Sequence, residues 1–271
     1  MTPPNFRIHP HPHPLPPIRK PLPPRIKVSY ARGVTVCIAA IGSRKNGSGI
    51  VLCCDSRLDQ GVFGSTDDVN KLRFVRTGWL AMLSGRWEAA QELSRTIGAR
   101  FQQQPGSLSD ALVATREGAK DFRVSAFFSK QGTEEALVTG FVGEQPIILH
   151  VAGQMSVDPV PFGAIGEGYN IATVMLHQRD CSQMMSLEQV AYIVYEAKRC
   201  SEKASSVGKR TTLIMQYPTP ITDPENTVNM DMFNLEGLRF MDAMYRRLWL
   251  RDISPSIKPF PKRCFEHPEG Q

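Results

Sequence analysis

The chain has 271 residues and carries 32 Lys+Arg against 26 Asp+Glu, a formal net charge of +6. Such a balance ordinarily points to nucleic acid or a membrane surface, but the excess is confined to residues 1–33. That stretch holds six cations (Arg7, Arg19, Lys20, Arg25, Lys27, Arg32) and no acid, so the remainder carries 26 of each sign and nucleic-acid binding loses its support. A membrane partner fares no better, because no apolar run approaches the roughly 20 residues that span a bilayer.

Residues 1–33 also contain ten of the 21 prolines and three of the six histidines, in runs such as His9-Pro10-His11-Pro12-His13-Pro14. Proline at this density forbids helix and central strand and favours polyproline II or disorder. Three readings of this extension stay open. It is a proline-rich ligand for a small adaptor domain, a His-rich metal tail whose alternating prolines hold the imidazoles apart, or a mis-assigned start. The last is the plainest. Val34 directly precedes Thr35, a bacterial valine codon can initiate as methionine, and removal of that methionine would leave Thr35 first. The expected organisation is a disordered extension over 1–33, one folded domain over 34–252 and a flexible tail over 253–271. A domain of that size buries a substantial core. The six cysteines (Cys37, Cys53, Cys54, Cys181, Cys200, Cys264) show no C-x-x-C spacing. They read as reduced, mostly buried thiols of a cytoplasmic protein, with Cys53 and Cys54 on opposite faces of one strand.

In chain order, Val34–Ile41 reads as a strand, Arg44–Gly49 as a hairpin turn and Ile50–Cys54 as the returning strand. Residues 57–70 form a loop. A second hairpin follows, with Lys71–Val75 and Trp79–Leu83 joined at Thr77-Gly78. Apolar residues at three- and four-residue spacing place helices over Glu88–Phe101 and Leu108–Phe128, the second with an N-terminal cap at Ser107. Strands are expected at Glu135–Val142, Pro146–Ala152 and Pro161–Ile165, then helices at Tyr169–Gln178 and Ser186–Lys203. Ser186-x-x-Gln189 resembles a capping box. A strand over Thr211–Tyr217 and a helix over Leu235–Leu250 complete the chain. Helices paired between runs of strands suggest two face-to-face sheets with helical layers outside, an α+β αββα sandwich.

The chemistry centres on Thr35. An N-terminal threonine supplies both nucleophile and base, its hydroxyl attacking an acyl carbon while its α-amine takes the proton. An α-amine titrates at about 7.7–8.0, which suits general-base work at neutral pH. A neighbouring ammonium would tune that amine and a carboxylate would hold the ammonium. Lys71 at the head of the third strand and Asp55 at the end of the second fill these roles. Gly85, after the fourth strand, is placed to offer a backbone N–H to an oxyanion.

With these residues the chain resembles the proteasome β-subunit family of N-terminal nucleophile hydrolases, which includes bacterial Anbu-type proteins. The family pattern has a nucleophile threonine opening a strand, then Asp-Ser-Arg after the first hairpin. A lysine follows sixteen residues on, and a small-Gly turn precedes the first helix. Asp55-Ser56-Arg57 is literal here, Lys71 lies sixteen residues beyond Asp55, and Leu83-Ser84-Gly85 occupies the turn. Thr35-Val36-Cys37-Ile38-Ala39 is similar to the Anbu-type opening Thr-aromatic-Cys-Val-Ala. The resemblance covers roughly residues 34–217. It implies a four-layer αββα fold of the N-terminal nucleophile hydrolase type and cleavage of a peptide or amide substrate. It also implies homo-oligomerisation and no cofactor or metal.

The chain departs from the pattern in places. The Thr35–Asp55 interval is longer than the family's, and a register matching Gly33 to the glycine before the cleaved bond would put Val34 at the nucleophile position. A Gly-Ser-Gly turn of the family is Gly166-Glu167-Gly168 here. A later Asp-x-x-Ser-Gly site is not evident in Ser201–Gly208, where Glu202, Ser205 and Ser206 are the candidates. Structural readings stand beside the catalytic ones: Thr35 as an ordinary strand residue, Asp55 and Lys71 as an ion pair, Gly85 as a turn glycine. His150, His177 and His267 read as structural. Lys198-Arg199 and Lys209-Arg210 read as a solvated face or a subunit contact. The rival to the hydrolase is a catalytically inactive proteasome-like protein with a structural or assembly role.

Overall fold

A computed structural model describes residues 35–59, 65–66, 69–101, 104–125, 127–128, 133–153, 155–204, 207–218, 228–248, 257 and 259–265. The expected extension over 1–33 lies outside the described residues.

Strand alternation builds two sheets. β1 (Cys37–Arg44) and β2 (Gly47–Asp55) form a hairpin in which Arg44 faces Gly47 and Lys45-Asn46 make the turn. Gly47 adopts φ +110, a value glycine tolerates without strain. The turn is therefore tighter than the sequence pattern predicts; β2 is longer than expected, and β1 keeps the expected length but starts and ends later in the chain. Short strands β3 (Leu58–Asp59) and β4 (Ser65–Thr66) pair within the expected loop. β5 (Leu72–Arg76) and β6 (Trp79–Ser84) form the second hairpin. The later strands are β7 (Glu135–Val142), β8 (Gln145–Val151), β9 (Val157–Pro159), β10 (Phe162–Ile165), β11 (Thr211–Pro218) and β12 (Val228–Met232). They complete antiparallel sheets of order β10-β1-β2-β11-β12 and β5-β6-β7-β8-β9. β9 and β12 escape the sequence pattern because each is a short edge strand. β9 carries a proline, tolerated at an edge where its missing N–H breaks no ladder.

The period of two sorts the side chains. In β1, Cys37, Ala39 and Ile41 face the second sheet, while Val36 before it and Ile38 and Ala40 within it face the helices outside. In β2, Cys54 enters the layer between the sheets and Cys53 the helix-side core, on opposite faces as alternation requires. The layer between sheets is closed from the other side by Leu72, Leu80, Met82, Leu137, Phe141 and Ile148. Polar ties cross it as well: Thr139 Oγ1 lies 3.3 Å from Gln216 Oε1, and Gln216 Nε2 donates to the Gly78 carbonyl at 2.9 Å. All six cysteines are free and buried.

Helices cover both outer faces, five among the described residues. α1 (Trp87–Arg100) and α2 (Leu108–Arg123) pack Ala89, Leu93, Ile97, Ala111, Ala119 and Phe122 on Trp79, Ala81, Val138 and Leu149. α2 ends five residues earlier than its apolar spacing predicts. Phe128 nevertheless reaches the same core through the following turn, edge-on to Phe122 at 5.8 Å, which is why the periodicity outlasts the helix. On the other face lie α3 (Tyr169–Gln178), α4 (Leu187–Ser201) and α5 (Leu235–Leu248). α4 is buried on nearly every side, because it runs between the first sheet and its neighbouring helices. Its wholly buried Glu196 is gripped by Arg179 through two bonds of 2.7 and 2.6 Å, the bidentate geometry that an enclosed carboxylate needs. Lys198 is wholly buried too, so the solvated-face reading of Lys198-Arg199 is corrected. Arg199 is turned onto Glu202 and Asp242.

The tail expected over 253–271 also needs correction at 259–265. Phe260 and Cys264 are buried, Lys262–Cys264 forms a short 3-10 helix, and Phe233 stacks edge-on with Phe260 and Phe265. The apolar residues there have a partner in α5 that no local pattern reveals. Among the described residues, no helix is long and apolar enough to cross a membrane.

The capping box at α4 is complete: Ser186 Oγ accepts from the Gln189 N–H at 3.2 Å, and Gln189 Oε1 accepts from the Ser186 N–H at 2.9 Å. Ser186→Ala removes one of these bonds and unseats the other. The variant is expected to lose about 1 kcal/mol of stability, read as a lower urea midpoint with an unchanged slope. An unchanged midpoint would mean the box does not hold α4.

Candidate active site

The head of β1, the end of β2 and the head of β5 converge at one buried point. Thr35 is 2% exposed, Asp55 0% and Lys71 3%. Each is placed by strand geometry. Asp55 is the last residue of β2, paired across from Val36, whose carbonyl accepts the Asp55 N–H at 3.2 Å. Lys71 immediately precedes β5, and its carbonyl accepts the Leu83 N–H at 3.2 Å, which fixes its backbone to β6. Thr35 lies two residues before β1, where its own carbonyl accepts the Gly168 N–H at 3.2 Å.

The three side chains bond directly to one another. Thr35 Oγ1 donates to Asp55 Oδ1 at 2.7 Å, and Lys71 Nζ donates to the same carboxylate oxygen at 2.7 Å. Lys71 Nζ also donates to Thr35 Oγ1. Backbone amides complete the carboxylate's shell: Val36 N at 3.0 Å on Oδ1, with Arg57 N at 3.3 Å and Gly208 N at 2.8 Å on Oδ2. A buried carboxylate is tolerable when it is paired and fully bonded, and this one has both. The ammonium faces the threonine hydroxyl at hydrogen-bonding range.

Cys37 borders the cluster. Its Sγ lies 3.9 Å from Thr35 Oγ1 and donates to the Leu83 carbonyl at 3.6 Å. Burial pushes this thiol well above its ordinary range, Cys54 and Asp55 add to the effect, and Lys71 opposes it. Cys37 is therefore held as a neutral thiol.

Gly85 joins this cluster by no direct bond among the described residues. It follows β6 with φ +106, and a Cβ on it would fall 2.8 Å from the Thr133 oxygen and the Glu134 Cα. Its proximity to the site runs through its own strand, whose Leu83 carbonyl receives the Cys37 thiol. Glu167 is exposed, and it is the backbone of its turn that touches Thr35. Gly166, at φ +88, leaves so little room that a Cβ would stand 2.4 Å from the Thr35 oxygen. The Gly166 N–H donates to Glu135 Oε2 at 3.2 Å, and the Gly168 carbonyl accepts from Ser201 Oγ at 3.1 Å. Glu202 turns away to Lys198 and Arg199, while Ser205 and Ser206 lie outside the described residues.

Sequence reading marked the Gly166-Glu167-Gly168 turn and the Ser201–Gly208 segment only as departures from the family pattern, and missed the contacts that Gly166, Gly168, Ser201 and Gly208 make. Three contribute through backbone atoms, for which residue type is a weak signal. The fourth is a serine inside a helix whose hydroxyl also bonds the Ala197 carbonyl, an ordinary helical habit. Among the described residues no group of three or more His, Cys, Asp or Glu side chains is placed to hold a metal ion.

No protein-family model matches the chain, and no curated protein sequence matches it. Among solved structures, the Gly-1 mutant of Anbu from Hyphomicrobium sp. strain MC1 is similar, with a TM-score of 0.59 and 17% identity. The match covers 84% of this chain and 99% of that one. At this identity the likeness is one of fold.

Replacing Lys71 with methionine leaves the Asp55 carboxylate buried without its cation. A loss of about 3–5 kcal/mol is expected, read by urea denaturation. The double variant Asp55→Asn with Lys71→Met should lose less than the two single changes added together. Strict additivity would show that the pair does not act as a unit.

Proposed function

We propose that this chain is a proteasome-like hydrolase of the N-terminal nucleophile type, with an αββα sandwich, that cleaves peptide or amide bonds once Thr35 is the first residue. The observation that carries the reading is the direct bonding of Thr35 Oγ1 to both Asp55 and Lys71 inside a buried cluster.

Within the peptide Val34–Thr35 the threonine nitrogen is an amide and no base. Freed, it becomes an amine beside the hydroxyl. Thr35 Oγ1 then attacks the substrate carbonyl carbon as its proton passes to the α-amine, and the carbonyl π pair moves onto oxygen. Collapse of that oxyanion breaks the C–N bond, and the departing amine takes the proton. The acyl group remains on Oγ1 as an ester. Water, deprotonated by the same α-amine, hydrolyses the ester and returns the threonine. Lys71 lowers the cost of negative charge at Oγ1, Asp55 holds Lys71, and the Gly85 N–H is assigned to the oxyanion. A homo-oligomer in the cytoplasm acting on peptides is part of the same proposal. It includes no cofactor.

The second reading is a catalytically inactive proteasome-like assembly protein, and a particular observation favours it. If Gly208, bonded to Asp55, takes the glycine of the Asp-x-x-Ser-Gly pattern, then Val207 and Ala204 stand at its serine and aspartate positions. Neither side chain can bond an α-ammonium.

The two readings part on covalent labelling. A chain beginning at Thr35 should form a one-to-one adduct with a threonine-directed peptide epoxyketone, detected by intact mass. The full chain and Thr35→Ala should form none. Labelling of the Ala variant to the same extent would remove Thr35 from the mechanism. No labelling of the Thr35-first chain would favour the inactive assembly protein.

A second expectation concerns Gly166. Alanine there meets the Thr35 oxygen and an unfavourable φ together, so Gly166→Ala should slow labelling of the Thr35-first chain by at least about tenfold, the equivalent of about 1.4 kcal/mol. Unaltered kinetics would show that the turn does not place the threonine.

A further inference from the structure

Lys198 has no part in the chemistry above, yet it is among the most enclosed side chains of the protein, on α4 at 0% exposure. Burial disfavours a charged amine, so packing alone does not call for an ammonium here; a methionine would fill similar space. What the ammonium supplies is donors. Its Nζ bonds Glu202 Oε1 at 2.5 Å, one turn along the chain, and the Lys209 carbonyl at 2.9 Å. Glu202 is held from its other side by Arg199 at 3.0 Å. The ammonium therefore staples the end of α4 to the segment that leads into β11.

That segment presents the Gly208 N–H, which lies one residue from the stapled carbonyl, to Asp55 Oδ2 at 2.8 Å. Gly208 is buried and tightly fitted: a Cβ on it would stand 2.5 Å from Arg57 Cβ and 3.0 Å from Asp55 Oδ2. The preceding Val207 packs against Gly168, whose N–H holds the Thr35 carbonyl. On the opposite flank, burial pushes the Cys53 thiol up to about 12 while Lys198 pulls it down, which places the ammonium's field beside β2, two residues before Asp55.

We propose that Lys198 is a positioning residue for the Thr35 site. By fixing the Lys209 carbonyl it aims the Gly208 N–H at Asp55, and Asp55 in turn holds Lys71 and Thr35. The catalytic half of this inference rests on the hydrolase reading above; the structural half does not.

The test uses the full chain and compares wild type, Lys198→Met and Lys198→Gln by hydrogen exchange of backbone amides in 1H–15N spectra. Methionine keeps the packing without a donor; glutamine keeps an N–H donor without the charge. In the Met variant the Gly208 amide is expected to exchange at least tenfold faster and to shift upfield as its bond to the carboxylate lengthens. The amide of Val190, in the core of α4, should keep its protection. Rescue of Gly208 by Gln assigns the effect to the donor, and loss in both variants assigns it to the charge; either outcome supports the staple. Equal protection of Gly208 in all three proteins overturns it, as does a loss that Val190 shares to the same degree. On chains beginning at Thr35, the epoxyketone labelling rate should fall in the Met variant in step with Gly208 protection, and a rate equal to wild type there would overturn the catalytic half. If the Thr35-first wild type does not label at all, the hydrolase reading fails while the amide result still decides the staple.

Discussion

Asp55 is the constraint around which the site is assembled. A carboxylate at 0% exposure must have its charge matched and its oxygens bonded, because an uncompensated buried charge is strongly destabilising. Here Oδ1 takes the Thr35 hydroxyl, the Lys71 ammonium and the Val36 amide, and Oδ2 takes the amides of Arg57 and Gly208. Those five donors come from the approach to β1, the exit of β2, the entry to β5 and the connection between α4 and β11. Satisfying one carboxylate thus draws four separate chain segments to a point, and it is at that point that a threonine hydroxyl meets an ammonium.

The sheets make this convergence affordable in geometric terms. Facing apolar layers keep the strand ends in place without polar help, leaving the polar groups at the rim to bond one another. The two glycine-bearing segments that close over Thr35 are held from different sides: the Gly166–Gly168 turn by Glu135 and Ser201, and the Gly208 segment by Lys198. α4 contributes to both, since Ser201 and Lys198 lie within one turn of each other. A helix that is otherwise a core element thereby places two of its buried polar side chains, Ser201 and Lys198, against the segments beside the site.

The chemistry carried by this arrangement depends on covalent state. With Thr35 in peptide linkage, the cluster is an ion pair with a bonded hydroxyl and has no base. A free amine would add a base beside the hydroxyl, the pairing that the proposed acyl transfer uses. The proposed enzyme therefore needs that peptide bond broken, whereas the assembly reading does not.

Much of this was legible in the sequence. A β-branched apolar run and its turn residues marked the first hairpin, alternation marked the second, helical spacing marked five helices, and the sixteen-residue interval from Asp55 to Lys71, matched to a family pattern, pointed to the cluster. These signals survive because they are local: periodicity and capping are written in neighbouring residues. The edge strands β9 and β12, the packing of Phe260 and Cys264 on α5, and the burial of Lys198 were not legible, since each depends on a partner distant in the chain. The same holds for Gly166 and Gly208, which act through an N–H or the lack of a Cβ, properties that any loop glycine shares. The sequence by itself singled out Thr35, Asp55 and Lys71 as candidates and determined which strands bear them. Only the tertiary structure decided which backbone amides face Asp55, because a hydrogen bond across 153 positions is specified by packing and not by neighbouring residues.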